Sequence, residues 1–252
     1  LFGVERLEQH AESLARAQTV TDHPSAVLSL HVRLRRNAAV LLAAYRESAA
    51  ELEQGRSVVP AAEWLLDNYH IAEAQIRDIR DDLPSGYYRK LPKLAAGPFA
   101  GYPRILGLAW AYVAHTDSNM EVESLRRFVA AYQRVQPLTI GELWAVPITL
   151  RIVLVENLRR LADQITAGRL ARQEADRWAD SLRAVGATPS ALGALVSTLS
   201  SEPLSERFAA QLAKRLRDLD PSTTPALAWL EERLRQQSTS SEKVVHHVQL
   251  RQ

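Results

Sequence analysis

Polar side chains able to act on a ligand are concentrated in a few stretches of this 252-residue chain. On a helix that the apolar spacing predicts from Pro60 onward, Glu63, Asp67, His70 and Arg77 share one face, opposite Leu65, Ala72, Ile76 and Ile79. Carboxylates and an imidazole can in principle hold a metal. Their spacing matches no metal-binding signature, and acid–histidine–arginine stripes are ordinarily solvated or turned toward a neighbouring helix. His115-Thr116-Asp117-Ser118 closes one predicted helix and opens the next, where such residues serve as caps. Trp64, Tyr69, Tyr87, Tyr88, Tyr102, Trp110, Tyr112 and Trp144 accompany Asp67, Asn68, Arg104, Asp117 and Glu142. Rings of this kind cover the apolar faces of sugars while polar groups orient them, although most aromatic side chains serve cores or interfaces. The candidates for contact with a glycan or with another domain are therefore Trp64, Asp67, Asn68, His70, Tyr87, Tyr88, Arg89, Lys90, Arg104, Trp110, His115, Asp117, Glu142 and Trp144.

Reaction motifs are scarce. Phosphate-cradling glycine loops, HExxH and GxSxG do not occur in the sequence. Asp218-Leu219-Asp220 matches the D-x-D that holds the metal of many nucleotide-sugar transferases, but there the motif follows a β-strand. Here it ends an amphipathic helix just before Pro221, and stopping that helix accounts for it. Any two carboxylates can meet in space as a glycosidase pair, and no pair is singled out. No catalytic, cofactor-binding or metal-ligating residue is assigned.

The elements that must position these residues are helices. Apolar side chains recur at helical spacing, as in Leu30, Leu34, Leu41, Tyr45 and Leu52, and strand-like alternation is scarcely found. The fold class expected is all-α: a multi-helix bundle with a long buried central helix. Helices are predicted near 4–19, 25–54, 61–80, 103–115, 121–134, 140–166, 169–185, 189–199, 203–219, 225–237 and 241–250. Ser118 with Glu121 and Thr139 with Glu142 fit the S/T-x-x-E capping box, with Leu138 and Leu143 placed as a staple beside the second. Thr188-Pro189 and Thr224-Pro225 fit a cap followed by proline in the first turn.

The helix from Thr139 carries apolar residues at almost every angle over 140–158, the mark of a helix buried all round. Glu142, Thr149, Glu156 and Arg160 interrupt it on one stripe about 40° wide at roughly 100° per residue. Glu156 and Arg160 are expected to pair at i,i+4. The sharper alternative is a polar pocket beside Trp144. Pro147 is expected to kink the axis. Between 82 and 103, Pro84, Pro92, Pro98 and Pro103 with Gly86, Gly97 and Gly101 exclude regular helix, and Tyr87, Tyr88, Phe99 and Tyr102 favour an ordered loop packed on the helices. Two portions are expected: 1–185 with the ordered loop 82–103, and a smaller helical 186–252.

Composition fits a core-forming chain. Apolar residues make up 46%, and 31 basic against 29 acidic residues leave a net charge of +2, too small a field to draw in nucleic acid. With no cysteine there is no thiolate metal site, disulfide or cysteine nucleophile. The longest apolar stretch, Leu143 to Leu158, is interrupted by Pro147, Arg151, Glu156 and Asn157, so the fragment is expected to be soluble and not to span a bilayer.

Longer strings carry a resemblance. Glu63-Trp64-Leu65-Leu66-Asp67-Asn68-Tyr69-His70, Asp81-Asp82-Leu83-Pro84-Ser85-Gly86-Tyr87-Tyr88-Arg89-Lys90-Leu91-Pro92, Trp110-Ala111-Tyr112-Val113-Ala114-His115-Thr116-Asp117-Ser118 and Gln136-Pro137-Leu138-Thr139-Ile140-Gly141-Glu142-Leu143-Trp144 resemble the N-terminal region of cyclic β-1,2-glucan synthases. The likeness is strongest from 60 to 161 and looser after about 165. It implies a large, multidomain bacterial inner-membrane protein with a cytoplasmic glucosyltransferase domain that uses UDP-glucose and a divalent metal. A glycoside-phosphorylase-like domain would trim the product. This chain would be a non-catalytic N-terminal helical module on the cytoplasmic face, scaffolding other domains of the same polypeptide. The alternative is a module that binds β-1,2-glucan and guides the growing chain. The family's catalytic motifs lie outside these strings, so no catalytic residue carries over.

Overall fold

A computed structural model describes residues 3–83, 86–185, 203–217 and 224–250. In chain order the described elements are α1 (Val4–Ala17), β1 (Val20–Thr21), α2 (Leu30–Glu53), α3 (Pro60–Asp82), α4 (Tyr87–Lys90), β2 (Lys93–Leu94), α5 (Arg104–Thr116), α6 (Val122–Val135), α7 (Ile140–Val185), α8 (Glu206–Arg217), α9 (Thr224–Gln236) and α10 (Ser241–Leu250). The fold is all-α, and among the described residues one minor antiparallel pair sets Val20 opposite Leu94 and Thr21 opposite Lys93. The predicted helix at 189–199, with its Thr188-Pro189 start, and Asp218-Leu219-Asp220 lie outside the described residues.

The chain divides into two compact units, 1–49 with 65–161 and 50–64 with 162–252, so α2, α3 and α7 each contribute to both.

The first unit is built on α1, α5, α6 and the opening half of α7. Its largest fully buried side chains include Leu7, Ile105, Leu106, Leu108, Tyr112, Phe128, Tyr132 and Ile152. Each such residue contributes about 1.5–3 kcal/mol by leaving water. Tyr112 and Phe128 pack with ring centroids 5.4 Å apart, joining α5 to α6. Leu7, Ala11 and Ala15 repeat every four residues and form the buried stripe of α1.

Within the proline-rich segment before α5, residues 86–103 contain one helical turn, α4, that the composition does not predict. Its backbone groups find partners: the Leu94 N–H donates to the Tyr102 carbonyl at 2.9 Å, Gly101 to Leu94 at 2.8 Å and Arg104 to Pro92 at 2.8 Å. Gly101 has φ +82°, and a Cβ there would stand 2.4 Å from the Ser25 carbonyl oxygen, so no other residue fits.

The capping chemistry divides. At α7 the box forms: the Glu142 N–H donates to Thr139 Oγ1 at 3.2 Å, and the Thr139 N–H donates to Glu142 Oε2 at 2.9 Å. At α6 it does not. Asp117 and Ser118 adopt left-handed φ of 52° and 63°, the N-cap position falls to Glu121, and Ser118 Oγ accepts instead from Asn157 Nδ2 at 2.8 Å. The tight turn between α5 and α6 takes the hydroxyl away from the helix it was expected to cap.

Helix α7 corrects three further expectations. It runs 46 residues unbroken through Pro147 and Gly168, where separate helices at 140–166 and 169–185 were expected. Glycine within a helix costs about 1 kcal/mol, which surrounding good helix formers can absorb. Its opening half is not buried all round: Ile140 is 71% and Trp144 77% exposed, with Pro147 and Arg151 continuing the exposed stripe. Apolar character on every side marks what a helix is able to bury, and here one side stays open. Finally, Glu156 does not pair with Arg160; Arg33 holds it.

The second unit has its own core. Ala175, Ala179 and Leu182 of α7 meet Phe208, Leu212 and Leu216 of α8, Leu230 and Leu234 of α9 and Val244 of α10. The alanines at i,i+4 keep that face of α7 shallow, so bulky side chains of the neighbouring helices can seat on it.

Candidate functional site

Glu142, Thr149 and Glu156 recur every seven residues along α7 and are 0%, 0% and 6% exposed. Seven residues is close to two helical turns, so they form one polar line through the first unit. Each needs a partner, because an unpaired buried polar group costs several kcal/mol. Each takes it from a different element.

Glu142 receives a bidentate guanidinium from α5: Arg104 Nε to Oε1 at 2.9 Å and Nη2 to Oε2 at 2.7 Å. Arg104 is itself only 4% exposed, and its Nη2 also donates to the Pro137 carbonyl at 3.1 Å. Burial pulls the Arg104 guanidinium down, but the hydrogen bond and charge of Glu142, with help from Tyr132, outweigh it and hold the group above its usual range. The planar fork of arginine suits this paired geometry. Tyr132 stands beside the pair, its ring 6.0 Å from the Arg104 carbon, and its hydroxyl donates to Gln18 Oε1 at 2.8 Å. Burial pushes the Tyr132 phenol up to about 12, with the Arg104 charge opposing and the Glu142 charge adding.

Thr149 Oγ1 and the Tyr88 hydroxyl lie 2.8 Å apart, tying the α4 turn to the middle of the line. Burial pushes Tyr88 up to about 12, although the Thr149 hydrogen bond lowers it in part and the neighbouring Tyr87 raises it. Tyr87 adds a second tie, donating to the Gly141 carbonyl at 2.6 Å. Arg33 of α2 meets Glu156 through Nε at 2.9 and 2.8 Å and lies 5.0 Å from the centre of the Tyr102 ring.

The structure thus brings together Tyr87, Tyr88, Arg104 and Glu142 from the sequence-derived candidates, and engages them with the protein itself. The remaining candidates are dispersed. Trp64 of α3 is 51% exposed, Asp67 and His70 are exposed and Asn68 is half-buried. Trp110 is half-buried against Phe99, with centroids 5.3 Å apart. His115 meets His10 edge-on at 4.2 Å; burial lowers both imidazoles, and their mutual charge lowers His10 further. Asp117 is the left-handed C-cap of α5. Arg89 and Lys90 are exposed on α4.

Trp144 stands apart from the polar line of Glu142, Thr149 and Glu156. It lies about 200° around α7 from Glu142 and projects outward. Ile140, four residues earlier on the same stripe, was missed by sequence reasoning because an apolar residue beginning a supposedly buried helix gives no sign of exposure. Arg33 was missed for a different reason: its place beside Leu34 on α2 gives no hint of a carboxylate 123 residues away. Among the described residues, no three His, Asp or Glu side chains converge as a metal would require.

No family model matches the chain. The sequence is similar to the cyclic β-(1,2)-glucan synthase NdvB of Rhizobium meliloti (strain 1021), with 38% identity over 244 residues, which is 97% of this chain and 8% of that protein. The chain therefore spans about 8% of the length of the curated relative it matches.

Proposed function

Starting from this kinship with a cyclic β-(1,2)-glucan synthase, we propose that the chain is a non-catalytic N-terminal helical module of such an enzyme, and that it docks onto another domain of the same, longer polypeptide. The exposed stripe of α7 carries the reading. Trp144 at 77% and Ile140 at 71% exposure are two large apolar side chains one turn apart. Side chains of that size clustered on one face mark a contact surface, and Trp is enriched where contacts carry most energy. Behind the stripe, the buried line of Glu142, Thr149 and Glu156 fixes α7 to three other segments, so the face is presented rigidly.

In this reading, UDP-glucose and a divalent metal serve a transferase domain elsewhere in the polypeptide. The module lies on the cytoplasmic face of the bacterial inner membrane, as part of a membrane protein. Among the described residues, no helix is long and apolar enough to cross a membrane.

A photo-crosslinker at position 144 of the full-length protein should capture a segment outside these 252 residues. Trp144→Ala combined with Ile140→Ser should lower cyclic glucan synthesis while shifting the stability of this chain by no more than about 0.5 kcal/mol. Full synthesis by the double variant, with no crosslink, would overturn the reading. A second reading, that the module binds β-1,2-glucan, is favoured by the exposed ring of Trp64 on α3. Titration with linear and cyclic β-1,2-glucans, followed by tryptophan fluorescence, separates the two, since only the second calls for a saturable change.

A further inference from the structure

The open face of α7 is a single row of side chains. From Ile140 to Arg159 the exposed residues are Ile140, Trp144, Pro147 and Arg151, at steps of four, three and four. Half-buried Leu154 and Leu158 continue the row at three and four. Alternating steps of three and four are the spacing by which two helices lie side by side at about 20°, each row of side chains seated in the other's gaps. At 1.5 Å per residue this row runs about 27 Å, long enough for a partner of five turns. Arg151 is the one charged member. Its Nη1 stands 3.6 Å from Asp82 Oδ2, beyond hydrogen bonding, with the two side chains 45% and 65% exposed, so the pair contributes little and does not close the row.

Charge beside the row is lopsided. The α4 turn is fastened to its edge: Tyr87 donates to the Gly141 carbonyl at 2.6 Å, and a Cβ on Gly141 would stand 3.3 Å from Leu91 Cδ2. Gly141 lies about 60° around α7 from Trp144. Between those two contacts, Arg89 and Lys90 are exposed, and among the described residues neither has a carboxylate partner. The acid in the first turn of α7, Glu142, is buried and taken by Arg104. Whatever covers the row therefore meets uncompensated positive charge at its Ile140 end. A bilayer surface fits this face poorly, because lipid accepts a broad apolar side rather than a narrow row, and exposed Asp82 beside Arg151 repels anionic headgroups.

Resting on the docking role proposed for this face, we propose that its occupant is a single amphipathic helix of the same longer polypeptide. That helix lies along α7 with its own apolar three-four row on the seam, and carries Asp or Glu facing Arg89 and Lys90. The apolar row supplies the contact area, as in other helix-on-helix recognition, while the carboxylates at one end fix direction and register.

The test uses the full-length protein with a photo-crosslinker in place of Trp144, Arg151 and Leu158 in turn. The adducts should fall within one segment outside these 252 residues, at positions seven residues apart. Arg89→Glu combined with Lys90→Glu should lower the yield at 144 at least tenfold, and changing the facing acid of the captured segment to Lys should restore it, which a misfolded variant would not allow. Arg126→Glu, at an exposed site on α6, should leave the yield unchanged. Adducts in polypeptide that lack the seven-residue spacing, or that resist the charge reversal, would overturn this occupant and leave docking itself standing. Adducts on lipid, or none at all, would remove both.

Discussion

The two halves of α7 treat charge in opposite ways. In the first, acidic groups go into the core, and each meets a cation or hydroxyl in matched geometry: Glu142 with Arg104, Glu156 with Arg33, Thr149 with Tyr88. In the second, charge stays toward the surface, where Asp176 and Asp180 pair with Arg215 at 3.2 and 3.0 Å beside a core that includes Ala175, Ala179 and Leu182. Buried pairs fix one geometry; exposed pairs contribute little. The same helix thus serves as a rivet in one unit and as a platform in the other.

The comparison breaks most visibly at Glu142. Replacing it by Ala leaves Arg104 buried without a counter-ion, and the loss expected in chemical denaturation is about 3–5 kcal/mol. A value below 1 kcal/mol would mean that water reaches the pair and that the line is not dry.

Alkaline titration comes next. Tyr88 and Tyr132 ionise at about 12 in the folded chain, above the usual 10. The fold therefore holds protons that the unfolded chain releases between pH 10 and 12. Stability should stay constant below pH 10 and fall through that window, by roughly 2–3 kcal/mol for each tyrosine. Phenolate absorbance should show two tyrosines titrating late, together with the onset of unfolding. If every tyrosine titrates near pH 10 while the fold persists, the two phenols are not buried as described.

A smaller loss is expected from Tyr88→Phe, which strips Thr149 of its partner and should cost about 1–2 kcal/mol by the same denaturation measurement. The smallest effect sharpens the contrast by its size. Asp180→Ala removes one exposed partner of Arg215 and should cost no more than about 1 kcal/mol by the same measurement. A loss as large as that of Glu142→Ala would show that the exposed pairs hold the second unit together.

Much of the first unit was legible before any coordinates. The capping box at Thr139 and Glu142 placed the start of α7, because its two hydrogen bonds join residues only three apart. The same local logic failed at Ser118, where two left-handed residues re-aim the hydroxyl, and nothing local announces left-handed geometry in Asp and Ser. Spacing alone revealed the stripe of Glu142, Thr149 and Glu156. It could not supply the partners, since Arg104 and Arg33 lie 38 and 123 residues from their carboxylates and are joined to them only by the fold. The openness of the Ile140 and Trp144 face was hidden for the complementary reason: hydrophobicity registers what a helix could cover, and says nothing of what stands against it.

The chain order of those ion pairs has a consequence for how the protein is made. Both arginines lie upstream, on α2 and α5, and both carboxylates lie downstream, on α7. A ribosome adding about 5–20 residues per second needs roughly 6 to 25 s to travel from Arg33 to Glu156. Throughout that interval the earlier helices carry guanidiniums with nothing to neutralise them, and these must remain hydrated. The nascent first unit cannot dry its interior until the opening half of α7 has emerged, so this segment, rather than any earlier one, sets the moment at which the whole unit closes.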